Sequence, residues 1–238
     1  MQNIKKYLAE FLGTATLVLF GCGTAVVTGG NVLITSLAFG LSIIIGAYAI
    51  AKESGCHINP AVSLAMLING KLSVKDFFAY VGAQILGAFA GSGLLYAILS
   101  CTKLGTNSLG ANGYDALSAT GITLSGAILV EIILTFIFVY TILAITAKAE
   151  NSRIAGFIIA LALVFVHIIG INLTGTSVNP ARSLAPAVLL GGEALSQVWV
   201  FIVAPLAGSA AAACAYKLLS IPCEKSNKTK VTRIKAKK

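Results

Sequence analysis

The tripeptide Asn-Pro-Ala occurs twice, as Asn59-Pro60-Ala61 and Asn179-Pro180-Ala181, 120 residues apart. Each copy reads as the start of a helix. Asn is a preferred N-cap because its side-chain oxygen accepts from free backbone N–H groups. Pro suits the first helical position, where its missing N–H would be unpaired anyway. The apolar runs that follow, Ala61 to Ile68 and Ala181 to Leu190, are too short to cross a bilayer, which takes about 20 residues. Two capped half-helices in matching places of two halves point to a pore built from inverted repeats.

The rest of the chain fits a bilayer. Of 238 residues, 57% are hydrophobic and 11% charged, where a soluble domain carries about a quarter. Mean hydropathy is +0.91. Six full spans are expected, at about 7–27, 33–51, 77–99, 122–146, 154–171 and 197–219. Ser100 to Thr120 is a polar connection with glycines at 105, 110 and 113, and reads as the joint between two halves. The letters repeat across it: Ala9-Glu10-Phe11-Leu12-Gly13-Thr14 parallels Val130-Glu131-Ile132-Ile133-Leu134-Thr135 at an offset of 121. Three spans per half is an odd number, so the halves take opposite orientations in the membrane. The expected fold is an all-α membrane protein of six transmembrane helices plus two re-entrant half-helices, in an inverted 3+3 repeat. Residues 1–221 form the pore domain, with repeat one at about 1–99, the connecting loop at about 100–121 and repeat two at about 122–221. Residues 222–238 form a basic tail with the composition of a disordered segment.

The net charge of +9 follows from topology and gives no reason to invoke a nucleic-acid partner. With both termini cytoplasmic, 15 Lys and Arg fall inside and only Lys103 and Arg182 outside, a strong positive-inside pattern. Five cysteines are an odd number in mostly apolar surroundings, which argues for free thiols over a disulfide framework. Lys5 and Lys6 before an apolar run, with Leu19-Phe20-Gly21-Cys22, faintly resemble a cleavable leader. Glu10 inside that run, and its counterpart Glu131, favour a first span instead. Asn172-Leu173-Thr174 fits a glycosylation pattern in a place where it would go unused. The chain shows no nucleophile–His–acid set, phosphate loop or metal-ligand spacing, so neither an enzyme, a cofactor nor a metal is expected.

Half-helices entering from opposite faces would bring their N-termini together near the midplane, each carrying roughly half a positive charge. Cations are repelled there. A neutral molecule with a lone pair can accept from the amides of Asn59 and Asn179, while irregular backbone before each Asn supplies carbonyls along a wet path. Water or a small polyol fits that arrangement.

The two Asn-Pro-Ala boxes, the Glu opening each half, Ser54 through Val62 and Thr176 through Ser183 together resemble the aquaporin (major intrinsic protein) family, in particular its bacterial water-selective members. The resemblance covers nearly the whole chain except the tail. It implies a selectivity filter of Phe39, His167, Thr176 (through its carbonyl) and Arg182. It also implies pore-lining loop backbone at Gly55, Cys56, His57, Gly175 and Ser177, with Glu10 and Glu131 as loop-supporting carboxylates. His167 with Phe39, Ser183 and Ala187 match the water-selective pattern; Ile202 departs from it, standing where such channels carry Trp. The implied protein is a passive water channel, a homotetramer in the lipid bilayer of the cell (inner) membrane, excluding protons, ions and glycerol. A facilitator for glycerol or another small neutral solute is the nearest alternative. An ion-coupled transporter would want midplane carboxylates, and an adhesion or scaffold protein would not need the full filter set.

Simpler readings stand beside each residue. Arg182 could be a helix-end ion-pair partner of Glu193. His167 and Phe39 could be core packing, and Thr176 an ordinary loop residue. Glu10 and Glu131 could be proton relays instead of loop supports. Cys56, the repeat counterpart of Thr176, could be a small buried filler or a thiol near the lumen that confers mercury sensitivity.

Overall fold

The computed structural model describes residues 2–220; the basic tail and Cys223 lie outside them. Six helices among the described residues are long and apolar enough to cross a membrane: Ile4–Val27, Val32–Ala49, Val74–Ser100, Leu124–Ile145, Ala149–Thr174 and Gly192–Leu219. We label the helices in chain order as α1 (Gln2–Leu17, continued through Val27), α2 (Val32–Ala49), α3 (Pro60–Ile68), α4 (Val74–Ser100), α5 (Leu124–Ile145), α6 (Ser152–Thr174), α7 (Pro180–Leu190) and α8 (Val200–Leu219). α3 and α7 are the half-helices. The largest departures from the expected spans are at the starts of the fifth and sixth, where a short 3-10 turn, Ala149–Asn151, adds length before α6 and a short helix, Gly192–Gln197, adds length before α8.

Local chemistry sets the helix ends. Asn31, Ser73 and Thr123 cap α2, α4 and α5 by accepting from the N–H groups of Ile34, Asp76 and Gly126. α3 ends at Asn69-Gly70, where the Lys71 N–H donates to the Met66 carbonyl at 2.8 Å and Gly70 takes φ 70°, a left-handed stop. On the face where α1 begins, Lys6 pairs with Asp76 at 2.7 Å and Tyr7 donates to the same carboxylate at 2.8 Å, tying α1 to the start of α4.

The halves pack in parallel ways. α1 lies on α4, α5 on α8, and α2 on α6 between them. In the first pair a Cβ on Gly87 would overlap the Phe11 carbonyl oxygen; in the second, a Cβ on Gly208 would overlap the carbonyl oxygen of Ile132. Both members are 121 residues on from their counterparts. Small residues let membrane helices approach this closely, and lipid supplies no hydrophobic force to replace the lost contact. Gly87→Leu and Gly208→Leu should therefore each destabilise the bundle by about 1–3 kcal/mol or more, read as a lower thermal unfolding midpoint in detergent. Gly93→Leu, in the same helix as Gly87 but facing open space, should leave the midpoint in place.

Candidate pore and constriction

Each half-helix is entered through a strained loop. Cys56 and Ile58 before α3, and Thr176 and Val178 before α7, all have positive φ, at 53°, 43°, 48° and 45°. For non-glycine residues this costs roughly 1–2 kcal/mol each. Buried carboxylates offset it. Glu10 accepts from the N–H groups of His57 at 2.9 Å and Ile58 at 2.6 Å, and from Gln84 Nε2 at 2.8 Å. Glu131 accepts from Ser177 N–H at 2.8 Å, Val178 N–H at 3.0 Å and the Thr174 hydroxyl at 2.7 Å. Both carboxylates are fully buried.

The half-helices meet N-terminus to N-terminus. Asn59 Oδ1 accepts from Ala61 N–H at 2.8 Å while its Nδ2 donates to the Val178 carbonyl at 2.7 Å. Asn179 Oδ1 accepts from the N–H groups of Ala181 and Arg182, and its Nδ2 donates to the Ile58 carbonyl at 2.9 Å. Each amide thus caps its own helix and holds the other loop. The amide nitrogen carries two hydrogens, so one on each Asn is left for a molecule in the lumen.

Beside this junction lies a cavity with about 20 Å³ of room for water, close to the least that holds one molecule. Leu17, Ile43, Phe138 and Leu163 give it apolar walls; Asn59, Asn179, His57 and Ser177 give it polar ones. Phe39, His167 and Arg182 bound it as well. A second, wider cavity with about 170 Å³ of room shares Ile43, His57 and Phe138 with the first and includes Gly55 and Cys56 in its wall. The two cavities adjoin through these shared residues.

The constriction is well defined. The Phe39 and His167 rings stack with centroids 4.4 Å apart, and Arg182 Cζ stands 5.2 Å from the Phe39 centroid, within cation–π range. His167 Nδ1 donates to the Leu163 carbonyl at 2.9 Å; a carbonyl can only accept, so in the neutral ring Nε2 presents a lone pair. That Nε2 and the Nε of Arg182 are buried without a partner in the protein.

Arg182 is 2% exposed and is not paired with Glu193, whose carboxylate instead accepts from Gln197 Nε2 at 3.1 Å. Its Nη1 donates to the Gly110 carbonyl at 2.8 Å and to Asn112 Oδ1 at 2.7 Å, and its Nη2 to the Gly175 carbonyl at 3.2 Å. Neutral oxygens thus carry the guanidinium and leave its positive charge uncancelled. Gly110 and Asn112 belong to the connection between halves, which sequence reading treats as a mere joint; an Asn between glycines was the only signal available. Asn112 Oδ1 also accepts from the Ser183 hydroxyl at 2.8 Å, and its Nδ2 donates to the Thr174 carbonyl at 3.0 Å.

The Thr176 side chain is outside the cavity wall: it is fully buried, with its hydroxyl against Gly170. Ile202 is also away from the path. It packs with Leu184 and Ala187 and faces a separate apolar crevice beside Pro60 and Pro180, so its departure from the family pattern does not bear on pore width.

Six helices able to span a membrane, two opposed half-helices and the adjoining cavities beside them define a membrane channel of inverted-repeat architecture. The chain belongs to the major intrinsic protein family, whose model matches residues 1–216. It is 42% identical to Aquaporin Z of Rhodopseudomonas palustris over 92% of this chain and 95% of that one. It is 44% identical to Glycerol uptake facilitator protein-like 6 of Lactiplantibacillus plantarum, over 88% and 95%. The solved aquaglyceroporin from Plasmodium falciparum superposes with a TM-score of 0.79 at 25% identity, covering 91% of this chain and 96% of that one.

Two predictions follow from this geometry. Glu131→Ala strands two loop N–H groups and the Thr174 hydroxyl; at about 1–3 kcal/mol per stranded buried group, it should cost 3 kcal/mol or more in thermal unfolding, and Glu10→Ala should behave alike. Asn112→Ala removes one acceptor from Arg182 and one from Ser183. It should lower stability by about 1–3 kcal/mol and loosen discrimination between solutes in a permeability assay.

Proposed function

We propose that this chain is a passive water channel that conducts single-file water and rejects glycerol, protons and ions. The observation that carries the reading is the cluster of Phe39, His167 and Arg182 in the wall of a cavity with room for about one water. A passing water accepts from Arg182 and from the free amide hydrogens of Asn59 and Asn179, and donates to His167 Nε2. The apolar walls offer no alternative partners, so waters move in file. The uncancelled charge of Arg182 and the two half-helix N-termini oppose cations and hydronium. Thr176 contributes a carbonyl to the filter, and the loop backbone at Gly55, Cys56, His57, Gly175 and Ser177 lines the path. Glu10 and Glu131 serve as loop supports. We further propose a homotetramer in the cytoplasmic membrane with both termini inside, the orientation supported by the charge of the short loops.

Glycerol facilitation is the second reading, favoured by the 44% identity to the facilitator-like protein. Stopped-flow light scattering of proteoliposomes separates the two. Water permeability well above protein-free vesicles, with glycerol at background, is expected; rapid glycerol entry would overturn the narrow filter. His167→Gly should then admit glycerol while keeping water flow. Cys56, in the wall of the wider cavity, should make water flow sensitive to mercuric chloride, and Cys56→Ser should remove that sensitivity.

A further inference from the structure

We propose that Gly21 is a specificity-determining positioning residue: lacking a side chain, it sets how far the Phe39 ring withdraws from the lumen. This rests on Phe39 belonging to the constriction, as proposed above. α1 and its continuation do not form one regular α-helix. Val18–Cys22 is a π-turn, a rare form that is frequent at functional sites. Within it Gly21 meets one edge of Phe39: an added Cβ would overlap Cε1 and Cδ1 of the ring and lie 2.7 Å from Cζ. One face of the same ring stacks on His167 at 4.4 Å. Phe39 is 1% exposed, and the open space next to it is the cavity. Anything larger than hydrogen at position 21 displaces the ring, and the free direction is into the path.

The repeat supplies an independent observation. Leu17 and Phe138, offset by 121, both line the narrow cavity, as do Ile43 and Leu163, offset by 120. In the register of Leu17, Gly21 corresponds to Ile142; in the register of Ile43, Phe39 corresponds to Ile159. Ile142 and Ile159 both line the wider cavity. One half therefore has two isoleucines where the other has a glycine and an aromatic ring. The offset falls by one between Leu17 and Ile43, so the first half holds one extra residue there, which the wider turn at Val18–Cys22 can absorb. The Gly–Phe combination turns one of two equivalent mouths into the narrow one.

Water and glycerol fluxes per reconstituted chain test this in Gly21→Ala, Phe39→Ile and the double variant. Gly21→Ala should cut water flux several-fold with glycerol still excluded. Alanine ordinarily favours a helix over glycine, so a loss would not arise from a weaker backbone. Phe39→Ile should admit glycerol, and the double variant should regain water flux at or above the wild-type level. If Gly21→Ala cannot be recovered folded, the double variant should fold and conduct, because the clash has been removed. Wild-type water flux in Gly21→Ala, or a double variant as impaired as Gly21→Ala beside an active Phe39→Ile, overturns the proposal. Phe39→Ile with unchanged glycerol exclusion overturns the filter reading itself and this proposal with it.

Discussion

Two buried carboxylates hold the pore in shape. Without Glu10 and Glu131, the loops before α3 and α7 would have neither partners for their N–H groups nor a reason to keep β-branched Ile58, Thr176 and Val178 at positive φ. Charge-assisted hydrogen bonds are about twice as strong as neutral ones, and each carboxylate makes at least two to its loop. That is enough to outweigh strain of roughly 1–2 kcal/mol per residue. The loops in turn fix Asn59 and Asn179, whose amides cross-link the half-helices. The same carboxylates would invite protons if they faced the lumen. They are spent on backbone donors and are absent from the cavity wall.

A similar division of labour keeps Arg182 useful. A bare cation in the membrane interior costs several kcal/mol and calls for a partner. A carboxylate partner would have neutralised it; three neutral oxygens, from Gly110, Asn112 and Gly175, solvate it and keep its field. The long connection between the halves thus acts as a strap over the constriction as well as a joint.

Periodic and paired features were legible in the sequence. Span lengths, the Asn-Pro-Ala caps and the Glu-centred repeat each rest on a local rule, and the helices fall within a few residues of expectation. The roles of Phe39 and His167 came only from family resemblance, because a Phe or His in an apolar helix also reads as core; Arg182 was marked as well by its place directly after Pro180-Ala181. Contacts made by irregular backbone were not legible. Nothing local announces that Asn112 reaches Arg182 across 70 positions, or that α1 opens a π-turn under Phe39, since both depend on tertiary packing.

The inverted repeat separates what the two halves share from what sets them apart. Leu17 with Phe138, Ile43 with Leu163, and Asn59 with Asn179 line the narrow cavity as matched pairs. A path built from such pairs alone would have two similar mouths, and the field of the half-helix N-termini would favour neither of them. What distinguishes one mouth from the other is the set of positions at which the halves differ. Gly21 and Phe39 replace two isoleucines, His167 stands against Ala47, and Arg182 stands against Val62. Ala47 and Val62 both line the wider cavity. Symmetric pairs make a pore that can exist in a membrane; the substitutions that break their symmetry make it narrow and positively charged at one end.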